Sequence, residues 1–163
     1  MADQCYELAA QVGDRLRNRG WMLATAESCT GGWIAKTMTD VPGSSGWFER
    51  GLVTYSNDAK IELLGVKRIT LEHHGAVSGE TVAEMAAGVL AHSRVQIAVA
   101  VSGIAGPDGG TPAKPVGTVW LAWAVRDEPV RPRRFQFGGN REAVRQQAVR
   151  AALEGMLDVL APS

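Results

Sequence analysis

Val95-Gln96-Ile97-Ala98-Val99-Ala100-Val101 is followed at once by Ser102-Gly103-Ile104-Ala105-Gly106-Pro107-Asp108-Gly109-Gly110, and this stretch decides the fold class. The first run is almost wholly apolar and does not alternate, as expected of a strand covered on both faces by helices. The second is rich in Gly and Pro, so it reads as a long loop at that strand's carboxyl end. Upstream, Val82, Met85, Ala86, Val89 and Leu90 recur at helical spacing, with Ser78 placed to cap the helix and Glu80 in its first turn. Downstream, Thr118 to Val125 and Arg133 to Phe137 read as strands joined near Asp127-Glu128-Pro129.

Further out, Cys5, Leu8, Ala9, Val12 and Leu16 predict a helix over residues 3 to 19, stopped by Gly20. Trp21 to Ala26 reads as a strand, Gly32 to Thr39 as a short helix, Val41 to Gly46 as a turn and Phe48 to Ser56 as a second strand. Asn57 or Asp58 can cap a helix over 58 to 64, and His74-Gly75 reads as the end of another short one. A last helix is expected from about Arg141 to Leu160, with Val144, Ala148, Ala151, Ala152, Gly155 and Met156 on one stripe. The order αβαβααβββα points to an α/β protein, a three-layer α/β/α sandwich around a mixed, mostly parallel sheet of about five strands. No repeat or linker interrupts it, so residues 1 to 163 are expected to form one domain.

The 163 residues carry 17 Lys+Arg against 17 Asp+Glu and are 45% hydrophobic. Such a chain buries about two-thirds of its unfolded surface and needs no metal or disulfide staple. Zero net charge argues against a nucleic-acid partner, and no apolar run approaches a membrane span. Two cysteines, Cys5 and Cys29, suit a reducing compartment, and Met1-Ala2-Asp3-Gln4 shows no basic leader, so a cytoplasmic address is expected. Glycine is enriched at 19 residues, and the cations are 13 Arg but only four Lys. Each Lys therefore repays separate reading.

Three loops fall at strand carboxyl ends, where open α/β sheets bind ligands. Glu27-Ser28-Cys29-Thr30-Gly31-Gly32 runs into a helix; it could cradle an anion, or Ser28 or Thr30 could simply cap that helix. The nearby Lys36-Thr37 lacks the glycines of a phosphate-binding P-loop. In Tyr55-Ser56-Asn57-Asp58-Ala59-Lys60, a Lys in a first helical turn is disfavoured as a cation and suits a general base, although a solvated surface Lys is the commoner case and Tyr55 reads as strand packing. Ser102 to Gly110 allows close approach of a ligand to the main chain. Gly138-Gly139-Asn140-Arg141, with Arg145 one turn on, gathers two cations at a helix start, which suits a phosphate or, for Arg145, an ion pair with Glu142 or a remote acid. His73-His74 has no neighbours at metal-ligand spacing, and Trp47-Phe48 beside Ser44-Ser45 could present an aromatic face to a flat ring.

Five ordered motifs, Ala26 to Gly32, Gly43 to Asn57, His74 to Ser78, Val101 to Pro107 and Lys114 to Val119, resemble the C-terminal domain of the CinA family across essentially the whole chain. The length leaves no room for the N-terminal nucleotide-pyrophosphatase-like domain of longer members. The resemblance implies a stand-alone amidase that converts nicotinamide mononucleotide to nicotinic acid mononucleotide and ammonia, without metal or organic cofactor. It places the family's serine on Ser28 and its lysine on Lys60, with Tyr55 in the same motif as proton relay. Thr30, Gly31, Gly32, Ser44, Phe48, Ser102, Gly103, Ala105, Gly106 and Arg141 are the expected substrate contacts, including oxyanion donors from the Thr30-Gly31-Gly32 or Ser102-Gly103 main chain. The expected partner is a small nucleotide, not nucleic acid or membrane, and the small-residue stripe of the last helix suggests a homodimer. A non-catalytic nucleotide-binding module and a nucleic-acid accessory protein are the other classes consistent with the family.

Overall fold

The apolar run centred on Ala98 becomes the middle strand of a five-stranded sheet. The computed structural model describes residues 2–162; Met1 and Ser163, counted above in the single domain, lie outside the described residues. The chain runs α1 (Ala2–Arg19), β1 (Leu23–Glu27), α2 (Trp33–Thr39), a 3-10 turn (Ser44–Gly46), β2 (Phe48–Val53), α3 (Asn57–Leu64), α4 (Arg68–His74), α5 (Gly79–Ala91), β3 (Ile97–Gly103), β4 (Thr118–Val125), β5 (Arg131–Gln136) and α6 (Arg141–Val159). Strand order is β2-β1-β3-β4-β5. β1 pairs in parallel with β2 and β3, while β4 lies antiparallel to β3 and β5, so four strands run one way and β4 runs against them. Three helices, not two, separate β2 from β3; the short α4 is the one His74-Gly75 closes.

The two faces of the sheet differ in side-chain size, and this sets the layers. Leu23, Ile97, Val99, Val101, Leu121 and Trp123 point into a core built with α1, α2 and α6. Ala24, Ala26, Ala98, Ala100, Ala122 and Ala124 alternate with them and make a flat face on which Val82, Met85, Ala86 and Val89 of α5 pack. The alanines let α5 approach closely. α3 then packs on α5, where a Cβ at Gly88 would lie 1.9 Å from the Leu64 carbonyl oxygen.

Several sequence expectations shift for identifiable reasons. β2 ends at Val53 rather than Ser56, because the Ser56 hydroxyl accepts a 3.0 Å bond from the Ala59 amide and is itself the cap of α3, in place of Asn57 or Asp58. Ser78 and Asn140 cap α5 and α6. Trp47 is fully buried, with its indole where a Cβ at Gly13 would lie 2.5 Å away, so it presents no aromatic face to a ligand. The small-residue stripe of α6 is used inside the protomer: Ala148 and Ala152 are buried, a Cβ at Gly155 would lie 2.0 Å from Trp123 Cζ2, and Trp123 Nε1 donates to the Ala152 carbonyl at 3.1 Å. The buried part of that stripe is thus taken up by packing within the protomer. Among the described residues, no helix is long and apolar enough to cross a membrane.

The connections also fix where a site can form. The chain leaves β1 through α2 on one face and leaves β2 through α3, α4 and α5 on the other. A crevice therefore opens at the carboxyl ends of β1 and β3, on either side of which the connections diverge. The Gly88 contact is open to a direct test of this layering. Gly88→Ala should push α3 off α5 and lower stability by about 1–3 kcal/mol or more. Gly46→Ala, at a position with nothing within 4 Å, should stay within about 0.5 kcal/mol in the same urea titration.

Candidate active site

Ser28 follows the last residue of β1, and its amide donates to the Val101 carbonyl at 3.1 Å, so neighbouring strands hold its main chain. Across the crevice, Lys60 lies one turn into α3 and turns back beneath the end of β2. Its side chain is 1% exposed, and Nζ lies 3.0 Å from Ser28 Oγ, 3.1 Å from the Thr54 carbonyl and 3.2 Å from the Tyr55 carbonyl. None of these partners is a carboxylate. Burial lowers the Lys60 pKa from its ordinary value, and only an ionised Cys29 sulfur would pull against that shift. Three oxygens surround Nζ, so it can donate to all three as an ammonium or, as a neutral amine, donate to the two carbonyls and turn its lone pair to the Ser28 hydroxyl; burial shifts the balance toward the second.

The turn that carries Ser28 is held from two sides. Glu27 is fully buried, and its carboxylate accepts from the Thr30 hydroxyl at 2.6 Å and from the Ile34 and Ala35 amides at 2.9 Å each. It is thus Glu27, not Ser28 or Thr30, that satisfies the start of α2. Burial raises the Glu27 pKa, and those hydrogen bonds pull against the rise. From the other side, Arg145 Nε donates to the Cys29 carbonyl at 3.0 Å and Nη2 to the Thr30 carbonyl at 3.3 Å. Among the described residues, Arg145 pairs with neither Glu142 nor a remote acid. Burial pushes the Cys29 thiol up to about 11, so it is protonated and unreactive at neutral pH.

A cavity of about 230 Å³ opens over the Ser28–Lys60 pair. Of the residues expected at the site, Ser28, Tyr55, Lys60, Ser102, Gly103, Ala105 and Arg141 line it. Tyr55 is 61% exposed, and its hydroxyl accepts from Arg141 Nη2 at 3.1 Å, while Arg141 Nη1 donates to the Gly106 carbonyl at 2.8 Å. The Tyr55 hydroxyl therefore belongs to the rim; it is the Tyr55 carbonyl that reaches Lys60. Thr30 turns its hydroxyl to Glu27, the Gly31 amide donates to the Ser28 carbonyl, and the Gly32 amide faces Glu27, so of these three residues only the Thr30 amide is left without an acceptor among the described residues. Ser44 and Phe48 lie at the other end of the sheet, because Phe48 pairs with Leu23 at the start of β1. At about 3.3 Å per residue, five residues of strand separate that end from Ser28. Asn57, Ala76 and Val77 line the cavity and were not singled out. The sequence signal for the latter two was the Gly75-Ala76-Val77-Ser78 stretch, where Gly75 has φ +78° and breaks the chain away from α4.

Comparison with known proteins adds a second line of evidence. The CinA C-terminal domain model matches residues 5–160. The chain is 56% identical over 148 residues to the nicotinamide-nucleotide amidohydrolase PncC of Escherichia coli K12, covering 91% of this chain and 90% of that one. It is 55% identical over 157 residues to the Pseudomonas putida protein of the same name, covering 96% and 98%. The crystal structure of a competence/damage inducible protein from Agrobacterium tumefaciens superposes with a TM-score of 0.93 at 47% identity, covering 97% of this chain and 96% of that one.

The lowered Lys60 pKa has a consequence for stability. The unfolded chain keeps this proton up to about pH 10.4, whereas the folded chain releases it earlier. Between the lowered value and about pH 10.4 the unfolded state binds more protons, so stability gains with rising pH; below the lowered value the burial penalty acts in full. Lys60→Met removes this dependence. The melting temperature of the wild type relative to Lys60→Met is expected to climb as pH rises toward about 10.4, the unfolded-state value, and a constant offset up to that pH would contradict a depressed Lys60.

Proposed function

The chain belongs to the CinA C-terminal domain family, and on that premise we propose that it hydrolyses the carboxamide of nicotinamide mononucleotide, with Ser28 as nucleophile and Lys60 as its base. The observation that carries this reading is the buried Lys60 Nζ, 3.0 Å from Ser28 Oγ with only uncharged oxygens around it. An amide is a poor electrophile, so attack needs an activated oxygen and departure of ammonia needs a proton. The neutral Lys60 amine takes the Ser28 proton as Oγ bonds to the carboxamide carbon. The resulting ammonium returns that proton to the amide nitrogen, the C–N bond breaks, and ammonia leaves. Water, deprotonated by the same Lys60, then cleaves the ester and releases nicotinic acid mononucleotide and free Ser28.

Lys60 alone can carry the proton through both halves, so Tyr55 is assigned to the rim with Arg141 rather than to the relay. The Thr30 amide, which has no acceptor among the described residues, is the proposed donor to the oxyanion. Arg141, exposed at the mouth and unpaired with any acid among the described residues, is the proposed phosphate anchor. The cytoplasm is the proposed location, in keeping with two unpaired, buried cysteines.

Pure protein incubated with nicotinamide mononucleotide should release ammonia and accumulate nicotinic acid mononucleotide. Ser28→Ala and Lys60→Met should each lose at least about a thousandfold in kcat while keeping a cooperative melt. Near-normal turnover in either variant excludes the dyad, and binding without turnover in the wild type favours the non-catalytic module. Rapid acid quench should trap an acyl adduct on the Ser28 peptide; its absence at steady state, with turnover intact, points to direct attack by water.

A further inference from the structure

Arg145 is set up to act on the reaction without touching the substrate. It does not line the cavity, whereas Arg141, four residues earlier, does. Its guanidinium lies 5.5 Å from the centre of the Trp33 ring, half-buried, and two of its nitrogens are committed to the carbonyls of Cys29 and Thr30. Gly31 keeps that approach open: with φ +60°, a side chain there would start 3.5 Å from Arg145 Nη2.

The peptide joining Cys29 to Thr30 is trans, so its carbonyl and its N–H point in opposite directions. Fixing the Cys29 carbonyl on Arg145 therefore fixes the direction of the Thr30 N–H on the other side of that peptide. A cation on the carbonyl end also polarises the unit and strengthens the N–H as a donor. The Thr30 amide is free of any acceptor among the described residues, two residues from the nucleophile. The Thr30 side chain is pinned independently by Glu27 at 2.6 Å, so the turn cannot rotate to relieve a misdirected amide.

We infer that Arg145 is a positioning residue: through the Cys29–Thr30 peptide it aims and polarises the Thr30 N–H as an oxyanion donor, and it does not hold the phosphate. The inference rests on Ser28 being the nucleophile. Arg145 contributes when negative charge develops on the carboxamide oxygen and contributes nothing to ground-state binding of the nucleotide.

Arg145→Met and Arg145→Lys, assayed beside the wild type and Ser28→Ala, test this. Arg145→Met should lose between about tenfold and a hundredfold in kcat, less than removal of a whole oxyanion donor, with KM for nicotinamide mononucleotide and the calorimetric Kd for nicotinic acid mononucleotide unchanged within about twofold. Arg145→Lys, which keeps the charge and can reach one carbonyl, should recover part of kcat and serves if the Met variant fails to fold. A raised KM and weakened product binding with kcat preserved would make Arg145 a phosphate ligand and overturn the inference. An intact kcat in both variants would overturn it too. A wild type silent on nicotinamide mononucleotide removes the underlying reading as well, so the two failures are told apart.

Discussion

A lysine amine buried without a carboxylate is the constraint around which this molecule is built. Taking a side-chain ammonium out of water is costly unless it is paired, and the fold offers Lys60 only neutral oxygens. Two of these come from a short gap in the secondary structure. Thr54 and Tyr55 lie after the end of β2 and before Ser56, the cap of α3, where their carbonyls serve neither a strand ladder nor a helix. The placement of one serine cap thus leaves the acceptors that a neutral amine can use. The cost of burial favours the neutral amine, the form the proposed base role needs.

Holding that amine in place depends on packing far from it. The alanine face of β1, β3 and β4 admits α5 at close range, Gly88 of α5 admits the Leu64 carbonyl of α3, and Lys60 sits one turn before Leu64. Small residues in the sheet therefore determine the position of a large one at the site. The opposite face carries the bulky residues and supports α6, from which Arg141 and Arg145 reach back over the strand ends. The two layers meet only at the crevice, each bringing groups the other lacks.

Much of this was legible in the sequence, and the failures share a physical origin. The apolar run before a glycine-rich loop revealed the covered sheet, and Ser28 and Lys60 stood out through motif and through the scarcity of Lys. Ser44 and Phe48 were misplaced because proximity along the chain says nothing about direction: a strand carries its first residue to the opposite edge of the sheet from its last. Trp47 read as available to a ligand because an aromatic beside serines looks exposed, while its burial depends on Gly13 in another helix. Arg145 looked like half of an anion site because two cations at a helix start violate local rules. Its acceptors lie 115 and 116 residues away and no local pattern encodes them.

Glu27 shows how the site keeps its charges apart. A carboxylate one residue from the nucleophile would, if turned toward Lys60, stabilise the ammonium and raise its pKa, removing the base. Strand alternation turns Glu27 away from Ser28's side of the backbone, and the first amides of α2 with the Thr30 hydroxyl absorb its charge. No carboxylate figures among the causes of the Lys60 shift. The same separation holds outward: among the described residues, Arg141 at the mouth bonds only a phenol and a carbonyl, so no described acid neutralises its charge. In the proposed reaction an anionic nucleotide would meet a cation at the rim and, within, an amine that has no carboxylate partner. That order would let the phosphate be held by charge while the carboxamide faces an amine kept apart from any acid.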